Sequence, residues 1–205
     1  MLVDTRLSDF VEAVAAKTPT PGGGSVSAAV GALGAALGIM TARYSDATDV
    51  ESGLEEIKGG FLKLVDADAQ AYGQVNSAMA LPKSTDEEKG RRKAAVQNAL
   101  SEAAEVPLQG MHLAARGLKT LAELGARCNK HLVSDLAGAV HFLSSALVGC
   151  GENVRINAAS LLDKERRAAL EKEHARLVAE GESLRGRILK DLAVRPGGKS
   201  SAPAS

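Results

Sequence analysis

Apolar residues recur at three- and four-residue intervals along almost the whole chain, and no stretch alternates with period two. That periodicity predicts helices and no sheet. Phe10, Val11 and Val14 mark a short amphipathic helix from Ser8 or Asp9 to about Lys17. Leu54, Ile57, Phe61, Leu64, Val65, Ala69, Tyr72 and Val75 line one face of a long helix. Asp49 or Ser52 can cap it, and Leu81-Pro82-Lys83 closes it, because the residue before proline disfavours helix. Thr85, Asp86, Glu87 and Glu88 form an acidic helix start that suits the helix dipole. Pro107 interrupts that helix or begins a new one reaching about Ala126. A loop through Cys128, Asn129, Lys130 and His131 follows, and Ser134 is the expected cap of the next helix. Residues 164–191 carry charges at i and i+4, which predicts a solvent-facing last helix.

Two segments depart from the amphipathic pattern. Residues 18–42 contain no charged side chain, and residues 136–151 contain none if His141 is neutral. The first is long enough to span a bilayer, but its dominance of Ala and Gly over Leu, Ile and Phe argues against that. Two helices buried at the centre of a bundle fit better. The expected architecture is an all-α, multi-helix bundle with two buried Gly/Ala-rich helices, thickened by further helices or by dimer formation. Residues 1–194 are read as a single domain and residues 195–205, RPGGKSSAPAS, as a disordered tail.

Composition removes several function classes. Lys plus Arg and Asp plus Glu both total 25, there is no Trp, and the rings are Phe10, Tyr44, Phe61, Tyr72 and Phe142. Such a surface lacks the excess charge and stacking platforms of a nucleic-acid binder. His112, His131, His141 and His174 are scattered, with no acid at ligand spacing, so no zinc-type cluster is expected. Cys128 and Cys150 form no CxxC pair, and the charged N-terminus does not read as a signal peptide. A reducing, cytoplasmic setting with no membrane partner follows as the expectation.

The most informative segment is PTPGGGSVSAAVGALGAALGIM, residues 19–40. Prolines and glycines predict a loop through Gly24, with Gly24 or Ser25 at the cap of the uncharged helix. A loop without side chains exposes backbone N–H groups, and a helix N-terminus favours an anion. The same small residues, Gly24, Ala28, Gly31, Ala35 and Gly38, would also make a smooth ridge for helix packing. No Lys-Ser or Lys-Thr pair follows the glycines, and the dinucleotide Gly-x-Gly-x-x-Gly spacing is missing.

Other polar residues interrupt apolar surroundings. Asp68 shares a helix face with Val65 and Tyr72, and Lys83 follows a helix-ending proline. Asn129, Ser134 and Asp135 cluster between helices, where capping alone would explain them. Asn153 and Asn157 stack on one face after the uncharged run and need protein or ligand partners. Asp135 and Asn153 are 18 residues apart, roughly 27 Å on one straight helix. They meet at one ligand only if Gly149-Cys150-Gly151 breaks the helix or a second subunit supplies part of the site.

Six segments in order resemble the cyclodeaminase/cyclohydrolase family of folate one-carbon enzymes: PTPGGGS, DAQAY from Asp68, LPKSTDEEKGRRKAA from Leu81, EVPL from Glu105, CNKHLVSD from Cys128 and NVRIN from Asn153. The family includes formiminotetrahydrofolate cyclodeaminase, often fused to a formiminotransferase, and standalone methenyltetrahydrofolate cyclohydrolases. The resemblance covers residues 7–192, nearly the whole chain. It implies an all-α fold, a homodimer or larger assembly, a folate substrate, no metal and no further cofactor. Carried over by motif, the site holds Gly22, Gly23, Gly24, Ser25, Asn129, Ser134, Asn153 and Asn157 against the substrate. Asp68 would be the principal acid/base group and Asp135 the second, with Lys83 completing the catalytic set and orienting substrate. The family usually has Gly where this chain has Cys128, so a positive φ there would strain the backbone before Asn129. An anionic glutamate tail calls for a basic rim, for which Arg43, Lys130 and Arg155 are candidates. The absence of a formiminotransferase segment leans toward hydrolysis of 5,10-methenyltetrahydrofolate. Ammonia-releasing ring closure is the alternative, and a non-catalytic helical bundle a further one.

Overall fold

The computed structural model describes residues 1–194, so the tail expected at 195–205 lies outside the described residues. Six helices account for nearly all of them: α1 (Leu7–Ala15), α2 (Gly23–Arg43), α3 (Thr48–Met79), α4 (Asp86–Gly125), α5 (Val133–Ala159) and α6 (Lys164–Ala193), with 3₁₀ turns at Leu2–Asp4 and Lys130–Leu132. No strand occurs among the described residues, as the periodicity predicts.

Helices α2, α3, α4 and α5 form an up-down-up-down ring, and α6 lies outside it against α4 and α5. Small residues set the spacing of the ring. A Cβ on Gly31 would fall 2.5 Å from the Phe61 ring, so glycine there lets α2 lie directly on the largest buried side chain of α3. Phe61, Leu54, Ile57, Met111, Leu118, Leu121, Leu136 and Leu143 are fully buried and form the centre. Burying side chains of this size contributes about 1.5–3 kcal/mol each before the entropy of ordering the chain is counted.

Several boundaries differ from the sequence expectation. Gly22 is the N-cap of α2, so Gly23 and Gly24 belong to the helix and Ser25 is its third residue. Gly22 has no side chain to cap with, and the cap comes from another helix. α5 starts at Val133, which puts Ser134 inside its first turn with no capping bond. Thr85 does cap α4, in a reciprocal capping box with Glu88. The interruption expected at Pro107 is absent, since α4 runs 40 residues through it. Of the two alternatives at Gly149-Cys150-Gly151 the helix break does not occur, since α5 runs 27 residues through that segment.

The two uncharged segments become α2 and α5, antiparallel neighbours that are each long and apolar enough to cross a membrane by length and composition. Their mutual face is closed: a Cβ on Gly34 would touch the Leu143 backbone at 3.0 Å. The other face of each is open, with Leu33 60% exposed, Phe142 44% and Val148 54%. Burial of the uncharged helices therefore holds for one side of each in the single chain.

Candidate active site

The orphan N–H groups at the start of α2 are met from α3. Asp68 Oδ2 accepts the backbone N–H of Ser25 at 2.8 Å and lies 3.0 Å from its hydroxyl. The same hydroxyl is 2.9 Å from the Val65 carbonyl, one turn back on α3, so its single proton is shared between two acceptors. A carboxylate at a helix N-terminus suits the dipole, and here it comes from 43 residues away in sequence. Close approach requires glycine, because a Cβ on Gly24 would sit 2.0 Å from Asp68 Oδ1. Asp68 Oδ1 has no hydrogen-bond donor among the described residues, and its side chain is half-buried.

α5 closes the opposite wall. Asn153 Nδ2 donates to Gly149 O at 2.9 Å and lies 3.7 Å from where a Cβ on Gly23 would be. Ser27 reaches back to Gly23 O at 2.6 Å, and its hydroxyl occupies the space a side chain at Gly149 would need. Beneath them the buried Cys150 thiol is pushed up to about 12, first by burial and then by the negative charge of Asp68. It is therefore a neutral wall at ordinary pH. Gly23, Gly24, Ser25, Asp68, Cys150 and Asn153 gather at one corner of the bundle, with a fixed carboxylate, an amide and a stretch of side-chain-free backbone.

The remaining expected site residues lie elsewhere in the chain. Asn129 donates from Nδ2 to Tyr44 O at 3.1 Å, and its N–H donates to Ser45 Oγ at 2.9 Å. It therefore sits at the C-terminal end of α2, roughly 28 Å along that helix from Ser25. Ser134 and Asp135 begin α5 at that same far end. Because α5 is unbroken, Asp135 and Asn153 cannot reach one small ligand within a single chain. Lys83 is exposed beyond the end of α3, whose last residue, Met79, already lies eleven residues or roughly 16 Å past Asp68. Asn157 turns to α4, donating from Nδ2 to Ala103 O at 2.9 Å.

Cys128 carries no strained backbone. Asp46 is the non-glycine residue with positive φ among the described residues, so the cysteine in place of the family's glycine imposes no such cost on Asn129. Two of the three expected rim cations are also committed within the chain: Arg43 to Glu51 and Glu55 at 2.7 and 3.2 Å, and Arg155 to Glu152 at 2.6 Å. Sequence reading did not single out Cys150 or Ser27 for the site. The signal for Cys150 was its spacing of three from Asn153, which puts both on neighbouring faces of one helix.

The family model for formiminotransferase-cyclodeaminase matches residues 6–176. Formimidoyltransferase-cyclodeaminase of Mus musculus is 36% identical over 208 residues, covering 95% of this chain. The chain spans 38% of that relative's length. Methenyltetrahydrofolate cyclohydrolase of Methylorubrum extorquens is 34% identical over 204 residues, with 94% of this chain and 98% of the relative covered. Among solved structures, formiminotetrahydrofolate cyclodeaminase from Thermotoga maritima superposes with a TM-score of 0.84 at 28% sequence identity, covering 94% of this chain and 98% of that one. With a matched segment that includes Gly24, Asp68 and Asn153, the chain belongs to the formiminotransferase-cyclodeaminase family.

Proposed function

We propose that this chain is a folate one-carbon enzyme that hydrolyses 5,10-methenyltetrahydrofolate to 10-formyltetrahydrofolate, with Asp68 as its acid/base group. The observation that carries the reading is the Asp68 carboxylate, held through one oxygen by Ser25 while the other stays free beside Gly24. In the substrate a single carbon bridges N5 and N10 as a cationic amidinium. Water adds to that carbon and loses a proton to Asp68, giving a neutral adduct. The C–N5 bond then breaks as N5 takes the proton back from Asp68, and the hydroxyl releases its own proton to solvent, so the carbon keeps its oxygen as a formyl group on N10. A carboxylate beside the carbon both offsets its charge and carries the proton. The Asn153 amide and the α2 N-terminus would orient the pterin. The folate, one water molecule and these side chains complete the scheme.

Hydrolysis is supported by the 34% identity with the Methylorubrum cyclohydrolase. The cyclodeaminase reading, in which N10 attacks a formimino carbon and ammonia leaves, uses the same carboxylate and is supported by the mouse and Thermotoga relatives. The test follows loss of the amidinium absorbance of 5,10-methenyltetrahydrofolate against the uncatalysed rate. Enzyme-dependent loss supports the hydrolase. Silence there, with ammonia released from the formimino substrate, moves the assignment to the cyclodeaminase. Silence in both leaves the non-catalytic bundle.

The active unit in this reading is a homodimer mated through the open faces of α2 and α5. A two-fold axis crossing α5 near Ser144, midway between Asp135 and Asn153, would carry the Asp135 end of one copy to the Asp68 end of the other. That pairing covers Leu33, Phe142 and Val148 and reunites both halves of the motif set. For the glutamate tail, the cations that support a docking rim are those of a cavity of about 410 Å³ lined by Lys83, Lys89, Arg92 and Lys93. Lys89 is paired with Asp86 and Arg92 with the Met79 carbonyl, whereas Lys83 and Lys93 have no ion pair among the described residues.

A further inference from the structure

α4 passes through Pro107 as one continuous helix, although proline offers no N–H to the carbonyl four residues back. The acceptor left without its helical donor is that of Ala103, a buried residue facing α5. A buried carbonyl without a partner is destabilising, and helices that tolerate an internal proline find a substitute donor. Asn157 supplies it: its Nδ2 donates to Ala103 O at 2.9 Å. The backbone N–H missing from α4 is thus replaced by a side-chain amide of α5. Serine and threonine are too short to bridge two helices there, and a carboxylate would present a second acceptor to an acceptor.

We propose that Asn157 is a positioning residue and not a substrate contact. Its amide takes the place of the N–H that Pro107 removes, and so fixes the register of α5 on α4. Register matters because Asn153 lies one turn earlier on α5, and its amide faces Gly23 at the proposed site. The end of α5 is held from α4 a second time by Gln97, which accepts the Leu162 N–H at 2.7 Å and donates to Ser160 O at 3.2 Å. Gln97 grips the turn beyond the helix, whereas Asn157 acts inside it. The two asparagines of NVRIN, four residues apart, therefore have different neighbours: Asn153 bonds back to Gly149 on its own helix and faces α2, whereas Asn157 bonds to α4.

The test is a double-mutant cycle with Pro107→Ala, which returns an N–H to residue 107. Alone, Asn157→Ala should lower the folding equilibrium constant roughly tenfold; in the Pro107→Ala background the loss should shrink to under about twofold. Equal losses in both backgrounds would overturn the latch. Kinetics on 5,10-methenyltetrahydrofolate give the second readout, which alone rests on the hydrolase reading. Asn157→Ala should raise KM by roughly fivefold with a smaller change in kcat, and Pro107→Ala should largely rescue that rise. A KM increase that persists undiminished beside Pro107→Ala would make Asn157 a substrate contact and defeat the proposal. If the unmutated protein is inactive, the hydrolase reading falls and the stability cycle still decides the latch. Should Asn157→Ala not fold, Asn157→Leu, of similar volume and without a donor, takes its place in the same cycle.

Discussion

Asp68 caps a helix to which it does not belong: its Oδ2 accepts the N–H of Ser25, the third residue of α2, at 2.8 Å. Gly22, at the cap position, has no side chain for the purpose. One carboxylate oxygen is therefore structural, and in the proposed reaction the other takes the proton. The carboxylate is rigidly placed because the Ser25 hydroxyl is also held, between Asp68 and Val65. Fixing a reacting group before substrate arrives removes reorganisation from the catalytic step.

The first prediction separates those two oxygens. Asp68→Asn retains an acceptor for the Ser25 N–H and loses the ability to take a proton. The kcat for methenyltetrahydrofolate hydrolysis should fall about 10²- to 10⁴-fold, with KM and melting temperature little changed. Steady-state kinetics and a thermal melt check it. A kcat within a few-fold of the unmutated enzyme would remove Asp68 from the mechanism.

Gly24 and Gly23 should respond differently to alanine. At Gly24 the new methyl would lie 2.0 Å from Asp68 Oδ1, so the anchored carboxylate must move. Gly24→Ala should cost about 1–3 kcal/mol despite alanine's better helix propensity, and should depress kcat with it. At Gly23 the new methyl meets Asn153 Nδ2 at an ordinary 3.7 Å. There nothing must move, and because Gly23 is the first residue of α2 the propensity gain is small, so stability should change by less than about 0.5 kcal/mol. Denaturant titrations of the two variants give the comparison; equal effects would mean the Asp68–Gly24 contact is not tight.

Periodicity made the helices legible, and the motif order made the family legible, but neither gave the geometry of the candidate site. The acidic start at Thr85 signalled a cap because both partners are local. The cap of α2 could not be read, since Asp68 reaches it from another helix, and glycines that signal a loop entered the helix instead. Pro107 signalled a break because the donor that compensates it, Asn157, is 50 residues away in sequence. Asn129 and Asp135 were grouped with Asp68 by motif alone. The unbroken path of α5 places them at the far end, a fact of helix continuity that local propensity does not report.

Cys150 gives the protein an alkaline sensitivity. Its thiol is pushed up from 9.0 to about 12, chiefly by burial and further by Asp68. Between those values the unfolded chain has released the proton and the folded one retains it. Stability present below pH 9.0 is therefore lost progressively as pH rises toward about 12. The loss attributable to this group is of order 4 kcal/mol at its limit, from 1.36 kcal/mol per unit. Denaturant melts of the protein and of Cys150→Ala from pH 8 to about 11 isolate it: the gap between the two should close with rising pH. A gap independent of pH would show that the thiol titrates normally.

The two-ended motif set leads to a complementation experiment. If each site combines the Asp68 end of one copy with the Asp135 end of another, Asp68→Asn and Asp135→Asn homodimers are both impaired at every site. Mixed from unfolded chains and refolded together, they form heterodimers in which both lesions can fall in one site and leave the other intact. Roughly a quarter of the unmutated activity should return, half of the dimers having one of two good sites. Leu33→Glu, placed on the open face of α2, should abolish the recovery by dissociating the dimer, which size-exclusion chromatography reads directly. If the mixture only averages its two components while dimers persist, each site lies within one chain. Asp135 would then have no access to the folate held by Asp68, and its place in the motif would be structural.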